Sequence, residues 1–350
     1  MRVVVLGASG NVGTSVLRAL GQEERVGSVL GLARRRPHLV AAKTSWRAVD
    51  IARDDLTPHL RGADAVVHLA WLIQPSRDEQ ITHATNVQGS ARVFEAVARA
   101  GVPSLVYASS VGAYGAGPKD RAVDESWPTT GIASSFYSRH KAAVERILDS
   151  FEGAHPEVRV ARLRPGLIFK RDAASGIRRL FAGPLLPSAL VRRALVPVLP
   201  VPPGLRFQAV HSHDVGQAYR QAVVRPVRGA FNVAADPVLD GRELGRLLGA
   251  QPIAVPRSVL RLAADLSWRA RLQPTSPGWL DMAMEVPIMD TARARRELDW
   301  APEHSSGEAF CELFDGLRDG AGIDTPPLSG DTGGPLRVRE LLSGVGRTSR

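Results

Sequence analysis

Tyr137 and Lys141 stand four residues apart in YSRHK (137–141). Tyrosine and lysine each occur only four times in 350 residues, so the pair is not common background. On a helix that spacing places both side chains on one face. A free phenol, with a pKa of about 10, is too weak a base near neutral pH, and a neighbouring ammonium favours the phenolate. The pair therefore reads as a tyrosine whose proton is meant to move. The plain structural alternative is a buried tyrosine beside a surface lysine.

A second stretch with chemical content opens the chain. GASGNVG (7–13) follows the apolar run RVVVLG (2–7) and precedes NVGTSVLRALG (11–21), which has helical period. Glycines at 7, 10 and 13 suit a tight turn, close approach of backbone to a pyrophosphate, and close helix–strand packing. The helix start supplies free N–H groups and partial positive charge for phosphates. Gly7, Ser9, Gly10, Asn11, Val12 and Gly13 are thus candidate dinucleotide contacts. About twenty residues further on, where an acid would bind a ribose 2′-hydroxyl and select NAD, stand Ala33 and then Arg34, Arg35 and Arg36. No carboxylate is there to repel a 2′-phosphate, and guanidinium groups can bind one bidentately. Arg34 and Arg35 therefore point to NADP rather than NAD.

Elements in alternation position these residues. Strands are expected at 2–7, 28–33, 46–50, 63–71, 103–110 and 158–165, and helices at 11–21, 86–101 and 134–151. Strands joined by helix-length crossovers imply an α/β fold, a doubly wound parallel sheet covered on both faces. The pattern weakens after Pro165 and returns at 208–235. The expected organisation is a Rossmann domain over 1–165 with 208–235. A smaller, mostly helical substrate lobe takes 166–207 and 236–318, and a flexible tail rich in Gly, Pro, Ser and Thr takes 319–350.

Composition narrows the partners. One cysteine, Cys311, excludes an intrachain disulfide and fits a reducing compartment, so the expected location is cytoplasmic. The N-terminus lacks the pattern of a signal peptide, and apolar runs are broken by charge or proline. The net charge of +10 comes from dispersed arginines without a nucleic-acid motif, which reads as a solvated basic surface. A small-molecule substrate is expected, with neither nucleic acid nor membrane as partner. His211 and His213 form a pair without a third ligand cluster nearby in sequence, so no metal is expected.

The chain resembles the extended short-chain dehydrogenase/reductases, the NAD-dependent epimerase/dehydratase family. GASGNVG, VVHLA (66–70), NVQGS (86–90), SSVGAYG (109–115), YSRHK, RPGLIF (164–169), VHSHDVGQA (210–218) and ARRELDWAP (294–302) carry the resemblance, over about residues 1–318. It implies Tyr137 as catalytic acid/base, Lys141 as its partner and a ribose ligand, and Ser110 as the hydroxyl that orients the reacting oxygen. It further implies Asp50 and Ile51 as adenine contacts, Asn86 near the cofactor, and Ala70 and Pro165 beside the nicotinamide. A homodimer is expected on the same ground.

The departures are informative. Val111, Gly112 and Ala113 follow Ser110 where sugar dehydratases carry an acidic pair, which argues against 4,6-dehydration. Arg206 lies one place out of register with the diphosphate-binding arginine of the epimerases. Trp71 replaces a small residue. The segment 181–207 is apolar and proline-rich, which suits a hydrophobic ketone or alcohol as well as it suits simple lobe packing. The expected activity is an NAD(P)-dependent oxidoreductase or epimerase acting at a carbinol/carbonyl. The alternatives are a nucleotide-sugar epimerase that retains NAD and a non-catalytic NAD(P)-binding sensor or assembly protein.

Overall fold

The structure is a computed structural model and describes residues 1–74, 76–182 and 197–330. Seven parallel strands form the central sheet: β1 (Arg2–Leu6), β2 (Ser28–Ala33), β3 (Thr44–Ala48), β4 (Ala65–His68), β5 (Ser104–Ala108), β6 (Arg159–Pro165) and β7 (Gly229–Val233). Their order is β7-β6-β5-β4-β1-β2-β3. Every pairing is parallel, for example Val4 with Leu30 on one side and with Val66 on the other.

Parallel strands buried on both faces need apolar residues at successive positions, and β1 supplies RVVVL. Val3 and Val5 point to one core, shared with Val16, Leu17 and Leu20 of α1 (Asn11–Gln22). Val4 and Leu6 point to the other, with Phe94 and Val97 of α2 (Gly89–Arg99) and Val144 and Leu148 of α3 (Phe136–Ala154). Helix α4 (Ser212–Val224) joins α1 on the first face through Val215, Ala218 and Tyr219. The doubly wound expectation holds, and strand order reverses between β1 and β4, where open α/β sheets form their ligand crevice.

Differences from the expected elements have local causes. β4 ends at His68 rather than Trp71, because Leu69–Trp71 leave the sheet as a loop. Asn86 clamps that loop: its Oδ1 accepts from the Leu72 N–H at 2.7 Å and its Nδ2 donates to the Leu72 carbonyl at 2.8 Å. Asn86 lies in a π-helical turn, Ala84–Gln88, immediately before α2. Such one-turn bulges cluster at functional sites because they re-aim one side chain without breaking the helix.

Small pairings and helices form the second lobe. Leu167–Phe169 pairs with Ala209–His211, and Arg206–Phe207 with Leu239–Asp240. Helices α5 (Arg257–Arg269), α6 (Gly278–Glu285) and α7 (Ser306–Asp319) follow. The expected tail boundary at 319 needs correction. Gly320 closes α7 with φ +64°, and the next residues pack on the lobe: the Ser175 N–H donates to the Ala321 carbonyl at 3.0 Å, and Leu328 is buried. Residues 331–350 of that tail, and 183–196 of the proline-rich segment, lie outside the described residues.

Candidate active site

The loop after β1 meets the loop after β4 at the switch point. Gly7 has φ +80°, and a Cβ there would lie 2.7 Å from the Ala70 nitrogen, so no side chain fits. Gly13 is equally constrained, since its Cβ would reach the Gly7 carbonyl oxygen at 2.4 Å. Gly10 differs: the nearest atom to a Cβ is 3.5 Å away. The protein itself does not demand glycine at 10, which leaves a bare backbone facing the crevice. Gly10 also caps α1, and among the described residues no side chain accepts from the first N–H groups of that helix. The Asn11 Oδ1 is buried without a partner among the described residues, while its Nδ2 donates to the Ile168 carbonyl at 3.2 Å. Ser9 is buried and Val12 half-buried in the same turn. This is the donor set an anionic pyrophosphate fits.

Of the residues expected at an adenine, Ile51 is buried against Gly89, and Asp50 accepts from the Ala52 N–H at 3.0 Å to hold the turn after β3. Arg34, Arg35 and Arg36 follow the end of β2, exposed and not hydrogen-bonded among the described residues. Ala70 is half-buried against Gly7, and Pro165 ends β6. Asn86 is completely buried and reaches the crevice through the loop it clamps, not by its own side chain.

Ser110, Tyr137 and Lys141 are brought together. Ser135 caps α3 by accepting from the Ser138 N–H at 3.4 Å, which starts the helix one residue before Tyr137. Ser138 donates to the Gly112 carbonyl at 2.5 Å and accepts from the Ile132 N–H at 2.7 Å. These bonds dock the first turn of α3 on the short 3₁₀ turn Val111–Ala113, which Ser110 caps through the Gly112 N–H at 3.0 Å. The Tyr137 ring lies directly over Gly112, where a Cβ would touch its edge at 2.9 Å. Ser110 stands beside the phenol, where its hydroxyl favours the ionised form.

The electrostatics correct one expectation. Burial pushes the Tyr137 phenol up to about 12, opposed by the Ser110 hydroxyl, and burial brings the Lys141 ammonium down to about 7, opposed by the Glu145 charge. Lys141 does not draw Tyr137 toward the phenolate here. Its Nζ donates to the Ala108 carbonyl at 2.7 Å and sits 3.5 Å from the centre of the Trp71 ring, against 5.8 Å to the Tyr137 ring. The phenol is therefore protonated at neutral pH, poised as an acid.

Two groups of residues at this site escaped the sequence reading, the α6 side chains with Phe181 and the charges behind Lys141, whereas Trp71 was expected there. Trp279 and Met282 come from α6, with the Trp279 ring 4.8 Å from that of Tyr137, and Phe181 is 4.9 Å from Trp279. Trp71 closes the other side, edge-on to Tyr137 at 5.8 Å. Behind Lys141, fully buried Glu145 accepts from Ser109 at 2.5 Å, from Arg162 at 2.7 Å and from Arg164 at 2.9 Å. Burial alone would raise this carboxyl, but the two guanidinium groups hold it at about 2. Glu145 was legible only as the fourth residue after Lys141, the next turn of the same face.

The chain matches the NAD dependent epimerase/dehydratase family over residues 3–234 and belongs to it. An uncharacterized protein of Mycobacterium tuberculosis is 27% identical over 330 residues, 92% of this chain and 31% of the relative. The chain thus spans about a third of the length of the first curated relatives it matches. A 3 beta-hydroxysteroid dehydrogenase/Delta 5-->4-isomerase of M. tuberculosis is 24% identical over 352 residues, 89% of each chain. Among solved structures, MoeE5 in complex with UDP-glucose and NAD aligns with TM-score 0.67 at 19% identity, covering 91% of this chain and 99% of that one. UDP-glucose 4-epimerase of Thermus thermophilus with NAD gives 0.66 at 22%, covering 91% and 99%. At these identities the structures establish a shared fold, and both carry NAD. Among the described residues no helix is long and apolar enough to cross a membrane.

Proposed function

We propose that this protein is an NAD(P)-dependent oxidoreductase acting on an apolar ketone or secondary alcohol, with Tyr137 as acid/base. The observation that carries the reading is a protonated phenol beside Ser110, set between the rings of Trp71 and Trp279. When bound, the nicotinamide supplies or accepts the hydride. Ser110 holds the substrate oxygen, and the Tyr137 hydroxyl gives its proton to that oxygen as the carbonyl is reduced; in oxidation the proton returns to Tyr137. Lys141 turns from the Ala108 carbonyl to hold the ribose. Gly10, Asn11 and the first N–H groups of α1 hold the pyrophosphate, with Asp50 and Ile51 at the adenine and Ala70 and Pro165 at the nicotinamide.

Aromatic and thioether side chains favour an apolar ring system over a sugar, which needs polar groups to read its hydroxyls. The similarity to a 3 beta-hydroxysteroid dehydrogenase points the same way. Arg34 and Arg35, exposed beyond β2, support NADP as the cofactor, with the Asp50 charge acting on Arg34 alongside. The lobe that brings Trp279 and Met282 to Tyr137 is the substrate-binding part, and the protein acts as a cytoplasmic homodimer, which light scattering would test.

A second reading has one specific observation behind it. The Arg206 Nε is buried without a partner among the described residues, close to Lys119, whose amine burial and the Arg206 charge bring down to about 8. Such a cationic pair fits a nucleotide-sugar diphosphate, and the NAD-bound epimerases share the fold. A non-catalytic role is disfavoured by the retention of Ser110, Tyr137 and Lys141 together.

The deciding experiment is to denature freshly purified protein, identify any released nucleotide by mass spectrometry, and titrate empty protein with NADPH and NADH. Empty protein that prefers NADPH supports the reductase. Tightly held NAD supports the epimerase and removes the NADP assignment. Binding of neither removes the enzyme reading.

A further inference from the structure

His211, fixed by burial at the end of its short strand, is joined in space by two residues about a hundred positions away. His304 and Glu312 each bring a ligand atom, and the three atoms lie within 4.8 Å of one another. The His211 and His304 rings stack with centroids 4.1 Å apart. His211 Nδ1 accepts from the His213 N–H at 3.3 Å, so the proton of the neutral ring is on Nε2, directed at Glu312 Oε2 3.1 Å away. His304 Nδ1 faces the Asp214 carboxylate at 3.1 Å, and its Nε2 has no hydrogen-bond partner among the described residues. A carboxylate behind a ligating imidazole fixes its tautomer and raises its basicity, the usual second layer of a metal site.

We propose that His211, His304 and Glu312 form a structural site for a divalent transition metal, with zinc the best fit. Two imidazoles and one carboxylate are a set zinc accepts, with a water completing the tetrahedron. Zinc lies about 2.0–2.2 Å from such ligands, so the set must close. His304 and Glu312 are partly exposed and can rotate, whereas His211 is 2% exposed and fixed. The Nε2 proton of His211 leaves to solvent as the metal takes its place. A cavity of about 420 Å³ lined by Ser15, Arg18, His213, Asp214 and His304 gives solvent access beside the set.

His213 is not a ligand, because Arg18 lies 3.2 Å from its Nε2. The pair visible in the sequence therefore splits: one member turns to two distant partners, and the other, edge-on to it at 4.7 Å, pairs with Arg18. The metal would tie α7, through Glu312, to the start of α4 and to the loop before α7. None of the three ligands is among the side chains around Tyr137, so the site stabilises the fold and takes no part in the reaction.

The test is a zinc titration of untagged, EDTA-treated full-length protein by calorimetry, repeated with cobalt(II) as an absorbing substitute. The expected result is one equivalent bound, a zinc-dependent rise in Tm, and intense cobalt absorption of tetrahedral type. Glu312→Gln and His304→Ala, both at accessible positions, should each weaken binding at least tenfold and abolish the Tm rise. His213→Ala should bind as wild type. Absence of stoichiometric binding overturns the proposal. So does binding unchanged in Glu312→Gln and His304→Ala, or lost equally in His213→Ala.

Discussion

At the β1–α1 loop the decisive atoms are the ones that are missing. Gly7 and Gly13 leave out Cβ atoms that would strike backbone at 2.7 and 2.4 Å, and the loop takes its shape from those omissions. Around Tyr137 the reverse holds. Trp71, Trp279 and Met282 crowd the phenol, and a buried ammonium and a buried carboxylate stand behind it. One region binds with backbone and tolerates almost no side chain. The other works through side chains whose ionisation is set by desolvation. Substitutions should therefore fail differently in the two places.

The largest effect is expected at the pocket. Tyr137→Phe removes the proton and little volume, so turnover should fall about 10²–10⁴-fold while dinucleotide affinity, read by fluorescence titration, stays within about twofold of wild type. Turnover unchanged in this variant would end the acid/base assignment. At the loop, Gly13→Ala should lower both Tm and cofactor affinity, because the added methyl group meets backbone. Gly10→Ala should leave Tm within about 2 °C of wild type yet weaken dinucleotide binding at least tenfold. If both variants lose stability alike, the distinction between a glycine kept for packing and one kept for a ligand is wrong.

A smaller shift is expected in cofactor choice. Arg34→Ala with Arg35→Ala should reduce the preference for NADPH over NADH about tenfold, roughly 1.4 kcal/mol, as measured by paired titrations. No change would leave these arginines as surface cover. The smallest effect concerns stability. Lys141 has a lower pKa folded, about 7, than its ordinary 10.5. Between those values the unfolded chain holds a proton that the folded chain lacks, so the site's contribution to stability rises with pH across that window. Lys141→Met should therefore raise Tm by a few degrees at or below pH 7, with the gain fading toward pH 10. A gain independent of pH would show that packing, not charge burial, is responsible.

What could be read in advance follows the same division. Glycine spacing, strand alternation and a four-residue helical step are local patterns, and they located Gly7, Gly10, Gly13, Tyr137 and Lys141 along with the sheet. β2 runs over 28–33 as expected, since its whole apolar stretch lies between two core layers. The Trp279 wall could not be found this way. Trp279 stands 142 positions after Tyr137, and packing between distant segments leaves no period in either. The direction of the Lys141 side chain was hidden for the same reason: the Ala108 carbonyl and the Trp71 ring become its neighbours only after β5 and the loop following β4 are in place. Asn86 was expected near the cofactor. Its actual task, holding both polar groups of Leu72, depends on a π-helical turn that composition does not announce.

Trp71 has an optical consequence. Its indole lies against the Lys141 ammonium, so any ribose that takes up that ammonium has to slide the ring away. Of six tryptophans, this one and Trp279 flank Tyr137. The protein should then report its own loading through a change in intrinsic emission that is stronger than inner-filter absorption and is lost in Trp71→Phe. An unaltered signal in that variant would place the light-sensitive contact elsewhere.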